Sequence, residues 1–245
     1  MFDVKYAIIS KNIATIYMLT ALLQKNKHLF TCPVPFLPTT DQLLLMNFGA
    51  DDTLFADQPL DNPYVMQQCI DDLLHEKNAL YGIGGYGILR AIYGRSALFD
   101  AENEPRRFHI GCDIFGKIGT PVIAPLPSTV HSFAYNQAIG DYGGTIILQH
   151  RLENTTFYTL YGHLNRASLI NLAIGQTIEQ GQTFATFGNI EENGNWSPHL
   201  HFQIINDIGN YQGDYPGVCR YSERAYYLNN CPNPDYILQM NNLLP

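Results

Sequence analysis

Apolar and polar positions repeat with two different periods along this chain, and the change falls near residue 100. Before it, apolar residues recur at helical spacing. In "DNPYVMQQCIDDLLHEKNAL", Val65, Met66, Cys69, Ile70, Leu73 and Leu74 share one helical face, behind a cap and a proline in the first turn. "ATIYMLTALLQK" predicts another helix. "TTDQLLLMNF" predicts a third, opening on a threonine suited to an N-cap. Between them the prolines of "CPVPFLP" force extended chain. "YGIGGYG" marks a turn ahead of "ILRAIYGRSALF".

From about Pro105 the segments become short, β-branched and punctuated by Gly, Asn and Pro: "TPVIAPL", "STVHSFAY", "GTIILQH", "TTFYTLYGHL", "TIEQGQTFATFG" and "PHLHFQII". This spacing predicts an antiparallel β domain. The fold class is therefore α+β. The expected division is a mainly helical N-terminal region over residues 1–98, a β domain over 99–209, and a C-terminal extension over 210–245 that packs on it. Helical turns are expected around "SERAYYLNN" and "NPDYILQM".

Composition narrows the function. With 46% hydrophobic and 15% charged residues, the chain can bury a sizeable core and does not read as disordered. Fourteen cations against 22 anions leave a net charge of −8, which argues against a nucleic-acid partner. The five scattered cysteines form no C-x-x-C and read as buried reduced thiols, with a Cys219–Cys231 pair left open. The Gly-Gly of "YGIGGYG" lacks the lysine and hydroxyl of a phosphate-binding loop. No apolar run is long enough for a membrane span. "MFDVKYAIISKNIATIYMLTALLQ" reads as a folded helix and not an export signal, because Lys11 and Asn12 interrupt it and Asp3 stands where a basic residue belongs. The expected compartment is cytoplasmic as written, or periplasmic or secreted if a signal was removed. Oligomeric state stays open.

The candidate chemistry is histidine chemistry. Four of the eight histidines fall in three places in the β region: His109, in His109-x-x-x-Asp113; His163, in "LYGHL"; and His199 and His201, in "PHLHFQ". Residues four apart on a straight strand lie roughly 13 Å from each other, so His109 and Asp113 converge only if the chain bends, and Gly111 is placed to permit a turn. His199 and His201 project from one face of a strand, about 6.5 Å apart at Cα. On a regular strand Tyr161 and His163 would come out together, making Tyr161 a candidate substrate contact. Two neutral imidazoles and a carboxylate with an open fourth position form a catalytic zinc arrangement. The remaining histidines suit the base and the oxyanion donor. His131, His150, His28 and His75 have bland readings as strand or solvated residues. Asp141 and Tyr142 in "IGDYGG" form a turn, with substrate contact as the lesser alternative.

The elements "HIGCD", "GTPVIAP", "LYGHL", "IGQTIEQGQ" and "SPHLHFQ", in this order, resemble the LytM/lysostaphin-type zinc metallopeptidases, peptidase family M23, over about residues 105–207. The resemblance implies an antiparallel β core of the lysostaphin type (duplicated-hybrid-motif-like) with the site in a groove. It implies one Zn2+ ion held by His109, Asp113 and His201, with His163 and His199 as the catalytic pair. It implies a peptide or peptidoglycan substrate and endopeptidase activity. Two departures stand out: Gln203 replaces a frequent Glu, and the loop "GNIEENGNWSP" is longer and carries Trp196, a candidate substrate contact on the groove wall. A cytosolic metalloenzyme on a non-wall substrate and a regulatory binding module are the competing readings. All five site positions are present, which favours an active enzyme over the module. The N-terminal region is a candidate lid supplying an Asn or Asp as fourth ligand, whose removal would raise activity.

Overall fold

The structure, a computed structural model, describes residues 18–46, 48–49, 62–100, 103–241 and 244. Part of the first expected helix, and residues 1–17 generally, lie outside the described residues. Residues 18–25 are helical. The centre of the molecule is an eight-stranded sheet in the order β1-β2-β5-β12-β9-β8-β7-β10. Its strands are β1 (Leu43–Leu45), β2 (Tyr81–Gly84), β5 (Cys112–Phe115), β7 (Ser128–Asn136), β8 (Gly143–Leu152), β9 (Thr155–Leu164), β10 (Thr177–Ile178) and β12 (His199–Ile205). Among the described residues of this sheet, only the β1–β2 pair is parallel. A three-stranded sheet joins β3 (Ile88–Leu89), β4 (Phe108–His109) and β13 (Val218–Cys219), and a two-stranded one joins β6 (Pro121–Ile123) to β11 (Thr183–Thr186).

The antiparallel β core expected after residue 105 is present. Strand β12 runs through its middle, buried along its whole length. Leu200, Phe202 and Ile204 enter the larger core with Ile146, Leu148, Phe157 and Tyr161. Its other face carries His199, His201 and Gln203, and Ile205 closes a second core with Ile147, Leu160, Tyr142 and Tyr215. That side-chain alternation with period two puts grease on one face of the strand and chemistry on the other.

The helix α1 (Pro63–Glu76) forms as its periodicity predicts. Asn62 caps it, accepting from the backbone N–H of Tyr64 and Val65, and Met66, Ile70 and Leu74 are buried. Two other expectations fail. "TTDQLLLMNF" is not helical: Leu43–Leu45 is an edge strand, with Leu43 in the larger core and Leu44 packed with the α1 residues. A short apolar run fits a strand as well as a helix, and the parallel pairing with β2 decides it. The first half of "YGIGGYG" is strand β2 and not a turn. The stretch read as a helical N-terminal region thus contributes two strands to the same sheet as residues 112–205. Deleting residues 1–98 as a lid would strip those strands from β5. Near the C-terminus, α2 (Arg224–Asn230) and α3 (Asp235–Leu238) match the expected helical turns.

All five cysteines are free, so Cys219 and Cys231 do not pair. No helix among the described residues is long and apolar enough to cross a membrane.

His150 on β8 is buried, stacks on Phe157 at 5.1 Å and lies with Nε2 2.7 Å from Thr159 Oγ1. Burial pushes its pKa down to about 4. An unfolded imidazole titrates near 6.5, so between about pH 6.5 and 4 only the unfolded state binds the proton. The contribution is complete above pH 6.5 and is lost as pH falls through that window. Metal-free His150→Gln is expected to lose about 2 kcal/mol less stability than the parent between pH 7 and 5, read from urea midpoints at the two pH values.

Candidate active site

The site forms where the chain crosses between two sheets. Strand β4 ends at His109 in the three-stranded sheet, and β5 begins at Cys112 in the main one. The side chains of His109 and Asp113 converge across that crossing. On β12, His201 sits directly opposite Asp113 in the antiparallel register. His109 Nε2 is 3.1 Å from His201 Nδ1 and 3.3 Å from Asp113 Oδ1, and His201 Nδ1 is 3.0 Å from the same oxygen. A tetrahedral divalent ion with bonds of about 2.0–2.1 Å has ligand–ligand edges of about 3.3 Å. The two nitrogens and one oxygen therefore fit such an ion on three corners.

Gly111 serves a different purpose from the expected turn. Its backbone is not left-handed, but a Cβ there would lie 2.4 Å from Cε1 and Nε2 of His201. Glycine leaves the space the imidazole fills. Cys112 packs in the larger core, turned away from the ligand triangle as alternation predicts.

Outer hydrogen bonds fix which nitrogen of each ring is bare. His109 Nδ1 donates to the Gly85 carbonyl at 3.0 Å, leaving Nε2 free. His201 Nε2 donates to Gln203 Oε1 at 3.0 Å, and Gln203 Nε2 donates to the Pro216 carbonyl at 3.2 Å, leaving His201 Nδ1 free. Gln203 thus does from a neutral amide what a carboxylate would do at that position. Arg90, only 2% exposed, pairs with the far oxygen of Asp113. Burial opposes ionisation of Asp113, but His109 and Arg90 hold its pKa well below the usual carboxylate range. Burial, with Arg90 next, pushes His109 down to about 4.

His163 and His199 stand together beside this triangle, with ring centroids 4.1 Å apart. His163 Nδ1 donates to the Asn193 carbonyl and His199 Nδ1 to the Ser197 carbonyl, both at 2.7 Å. Each ring therefore has an unprotonated Nε2. His199 Nε2 lies 4.0 Å from Asp113 Oδ1, and its ring stacks on Phe115 at 4.7 Å. Burial lowers His199 to about 4 and holds His163 well below 6.5, so both are neutral at pH 7. His199 is as buried as His201, at 4% and 3% exposure.

Tyr161 does not join the site. Strand β9 has one extra residue relative to β8 between Tyr161 and Leu164, and His163 there has φ +61°. This bulge resets the alternation. Tyr161 enters the larger core, packed on Phe184 and Phe202, while His163 emerges on the opposite face. The left-handed backbone at His163 costs about 1–2 kcal/mol. Trp196 does line the cavity, edge-on to His163 and His199 at 6.3 and 6.5 Å. Away from the site, His131 is a half-buried strand residue and His28 and His75 are exposed.

Three residues were missed in the sequence. Tyr142, read as a turn, donates its hydroxyl to the Tyr215 carbonyl at 3.1 Å with its ring 5.2 Å from His201. Arg90 and the Gly85 carbonyl come from the N-terminal stretch. A lone arginine inside the apolar run "ILRAIY" was the available signal for Arg90. The cavity over the site measures about 350 Å³ and is walled by Phe48, Met66, Ile92 and Tyr93 from the N-terminal stretch, with Tyr211 and Asp214 from the C-terminal one. Among the described residues that line it, the N-terminal stretch contributes no Asn or Asp as a fourth ligand.

Residues 107–213 match peptidase family M23. The chain is 38% identical over 98 residues to an "Uncharacterized metalloprotease" of Haemophilus influenzae, covering 40% of this chain and 18% of that protein. It is 32% identical over 97 residues to the peptidoglycan DD-endopeptidase ShyC of Vibrio cholerae, covering 40% and 20%. It is 31% identical over 109 residues to an L-Ala--D-Glu endopeptidase of Bacillus subtilis, covering 42% and 31%. The chain thus spans less than a third of the length of each of these curated relatives. Among solved structures, it is similar to a zinc-containing peptidase from Vibrio cholerae (28% identity, TM-score 0.33, 40% of this chain and 27% of that one). It is also similar to the catalytic domain of lysostaphin from Staphylococcus simulans (21% identity, TM-score 0.38, 66% and 96%).

Gly111→Ala forces the His201 ring out of the triangle. Divalent-ion affinity is expected to fall at least about tenfold, measured by competition with a chromophoric chelator on protein shown by circular dichroism to be folded.

Proposed function

We propose, from the match of residues 107–213 to peptidase family M23, that the protein is a zinc-dependent endopeptidase acting on peptidoglycan cross-links or a related short peptide. The observation that carries the reading is the triangle of bare donor atoms with 3.0–3.3 Å edges, set beside two neutral imidazoles. The substrate class is drawn from the relatives, two of which are named as endopeptidases, one of them a peptidoglycan enzyme.

His109 through Nε2, Asp113 through Oδ1 and His201 through Nδ1 would hold the ion. Zinc bound there supplies Lewis acidity, polarising a carbonyl and bringing the pKa of water toward neutrality. The rest is the work of this chain. His163 and His199 each offer an unprotonated Nε2, because a backbone carbonyl claims the other nitrogen. One ring accepts the proton of the attacking water and later returns it to the leaving amine. Two buried rings 4.1 Å apart cannot both be cations, so the pair holds one proton at a time. The imidazolium formed during attack stabilises the negative charge developing on the carbonyl oxygen. Burial of all five side chains keeps bulk water from screening these charges. Trp196, Tyr93 and Phe99 pack together along the cavity and shape the substrate's path.

Three purified variants test the assignment. His201→Ala is expected to lose stoichiometric zinc. His163→Ala and His199→Ala keep zinc but lose at least about a hundredfold in kcat on purified muropeptides, followed by mass spectrometry of the products. Chelation abolishes hydrolysis by the parent, and added zinc restores it. Full zinc occupancy in His201→Ala, or a zinc-loaded parent that leaves every muropeptide and short peptide intact, would falsify the reading.

A further inference from the structure

We propose that Arg90 is a positioning residue that makes Asp113 a one-oxygen ligand and couples that ligand to His109; this rests on the metallopeptidase reading above. Arg90 follows strand β3 and lies outside the region matched to the family. Its Nη1 donates to Asp113 Oδ2 and to the Tyr93 hydroxyl, the latter at 3.2 Å. Its Nη2 donates to the Gly85 carbonyl at 3.3 Å. That same carbonyl accepts from His109 Nδ1 at 3.0 Å. One buried guanidinium therefore touches the outer side of Asp113 directly and reaches that of His109 through the Gly85 carbonyl they share.

The carboxylate of Asp113 is divided by this contact. Oδ1 faces the bare nitrogens of His109 and His201, and Oδ2 belongs to Arg90. A carboxylate with both oxygens free can bind an ion through both. The second oxygen would then take up coordination space that a hydrolytic site keeps open for water or substrate. The fold makes room for the arginine at its own expense. A Cβ on Gly84 would lie 2.5 Å from Arg90 Nη2 and 3.2 Å from Asp113 Cβ. Lysine cannot replace this contact in full, because a point ammonium does not reach the carboxylate and the Gly85 carbonyl with the geometry of a planar fork.

The test uses the full chain loaded with Zn2+ or Co2+, comparing the parent with Arg90→Gln and Arg90→Lys. Zinc X-ray absorption gives the coordination number, the visible Co2+ band reports four against five or more ligands, and chelator competition gives affinity. In Arg90→Gln the carboxylate is expected to swing to two-oxygen binding: the coordination number rises by one, the Co2+ band weakens, and affinity shifts about 10- to 100-fold. Arg90→Lys keeps a cation on Oδ2, so its spectrum stays that of the parent while affinity falls at least about tenfold as the His109 support is lost. A folded Arg90→Gln with the parent's spectrum and affinity overturns the proposal. If Arg90→Gln does not fold, Arg90→Lys decides, and parent-like affinity in it overturns the proposal. A parent that binds neither ion sinks this inference and the metallopeptidase reading together. A parent that binds zinc and hydrolyses peptide, with Arg90 variants unchanged, sinks this inference alone.

Discussion

The site depends on one cross-strand register: His201 of β12 opposite Asp113 of β5. Directly opposed residues on an antiparallel pair have side chains close enough to touch, and here that proximity becomes a 3.0 Å contact between Nδ1 and Oδ1. A slip of one residue would turn His201 into the larger core and Phe202 into the site. The apolar residues Leu200, Phe202 and Ile204 prevent the slip, because they are fully buried on the other face. The grease that stabilises the strand thus also holds the donors in register. His109 reaches the same point from a separate sheet, so the triangle also ties the two sheets together.

Backbone carbonyls do a second job throughout the site. Gly85, Asn193 and Ser197 each take the proton-bearing Nδ1 of one imidazole. Carbonyls carry no net charge and do not titrate, so they set the tautomers of His109, His163 and His199 without adding charge to a buried centre. Gln203 does the same for His201 from a side chain. Arg90 and Asp113 bring opposite formal charges to the centre of the site, and they face each other.

Much of this was legible in the sequence. The spacing in "HLH", the apolar residues between and after those histidines, and the β-punctuated texture after Pro105 all pointed to a strand with chemistry on one face. His109, Asp113 and His201, which the family resemblance implies as ligands, lie together in one cluster. Tyr161 was misread because alternation holds only for a regular strand, and nothing in "LYGHL" announces a bulge that puts His163 in a left-handed conformation. Gly111 was assigned to a turn because its neighbour in space, His201, is 90 residues away in the chain. Arg90 escaped for the same reason, since the partner that defines it is reached only through the β2–β5 pairing. Leu43–Leu45 was read as helix because three leucines carry no period of their own.

The position of β12 between β5 and β9 has a consequence for synthesis. This strand lies in the middle of the sheet but leaves the ribosome after both of its neighbours. Until Ile205 has emerged, β5 and β9 each present an unpaired edge, and only β2 and β8 can protect their far sides. The nascent chain therefore cannot bring His109, Asp113 and His201 together until most of its length exists. A product terminated before β12 would keep both edges open, and the cluster of His109, Asp113 and His201 assembles in the same event that seals the sheet.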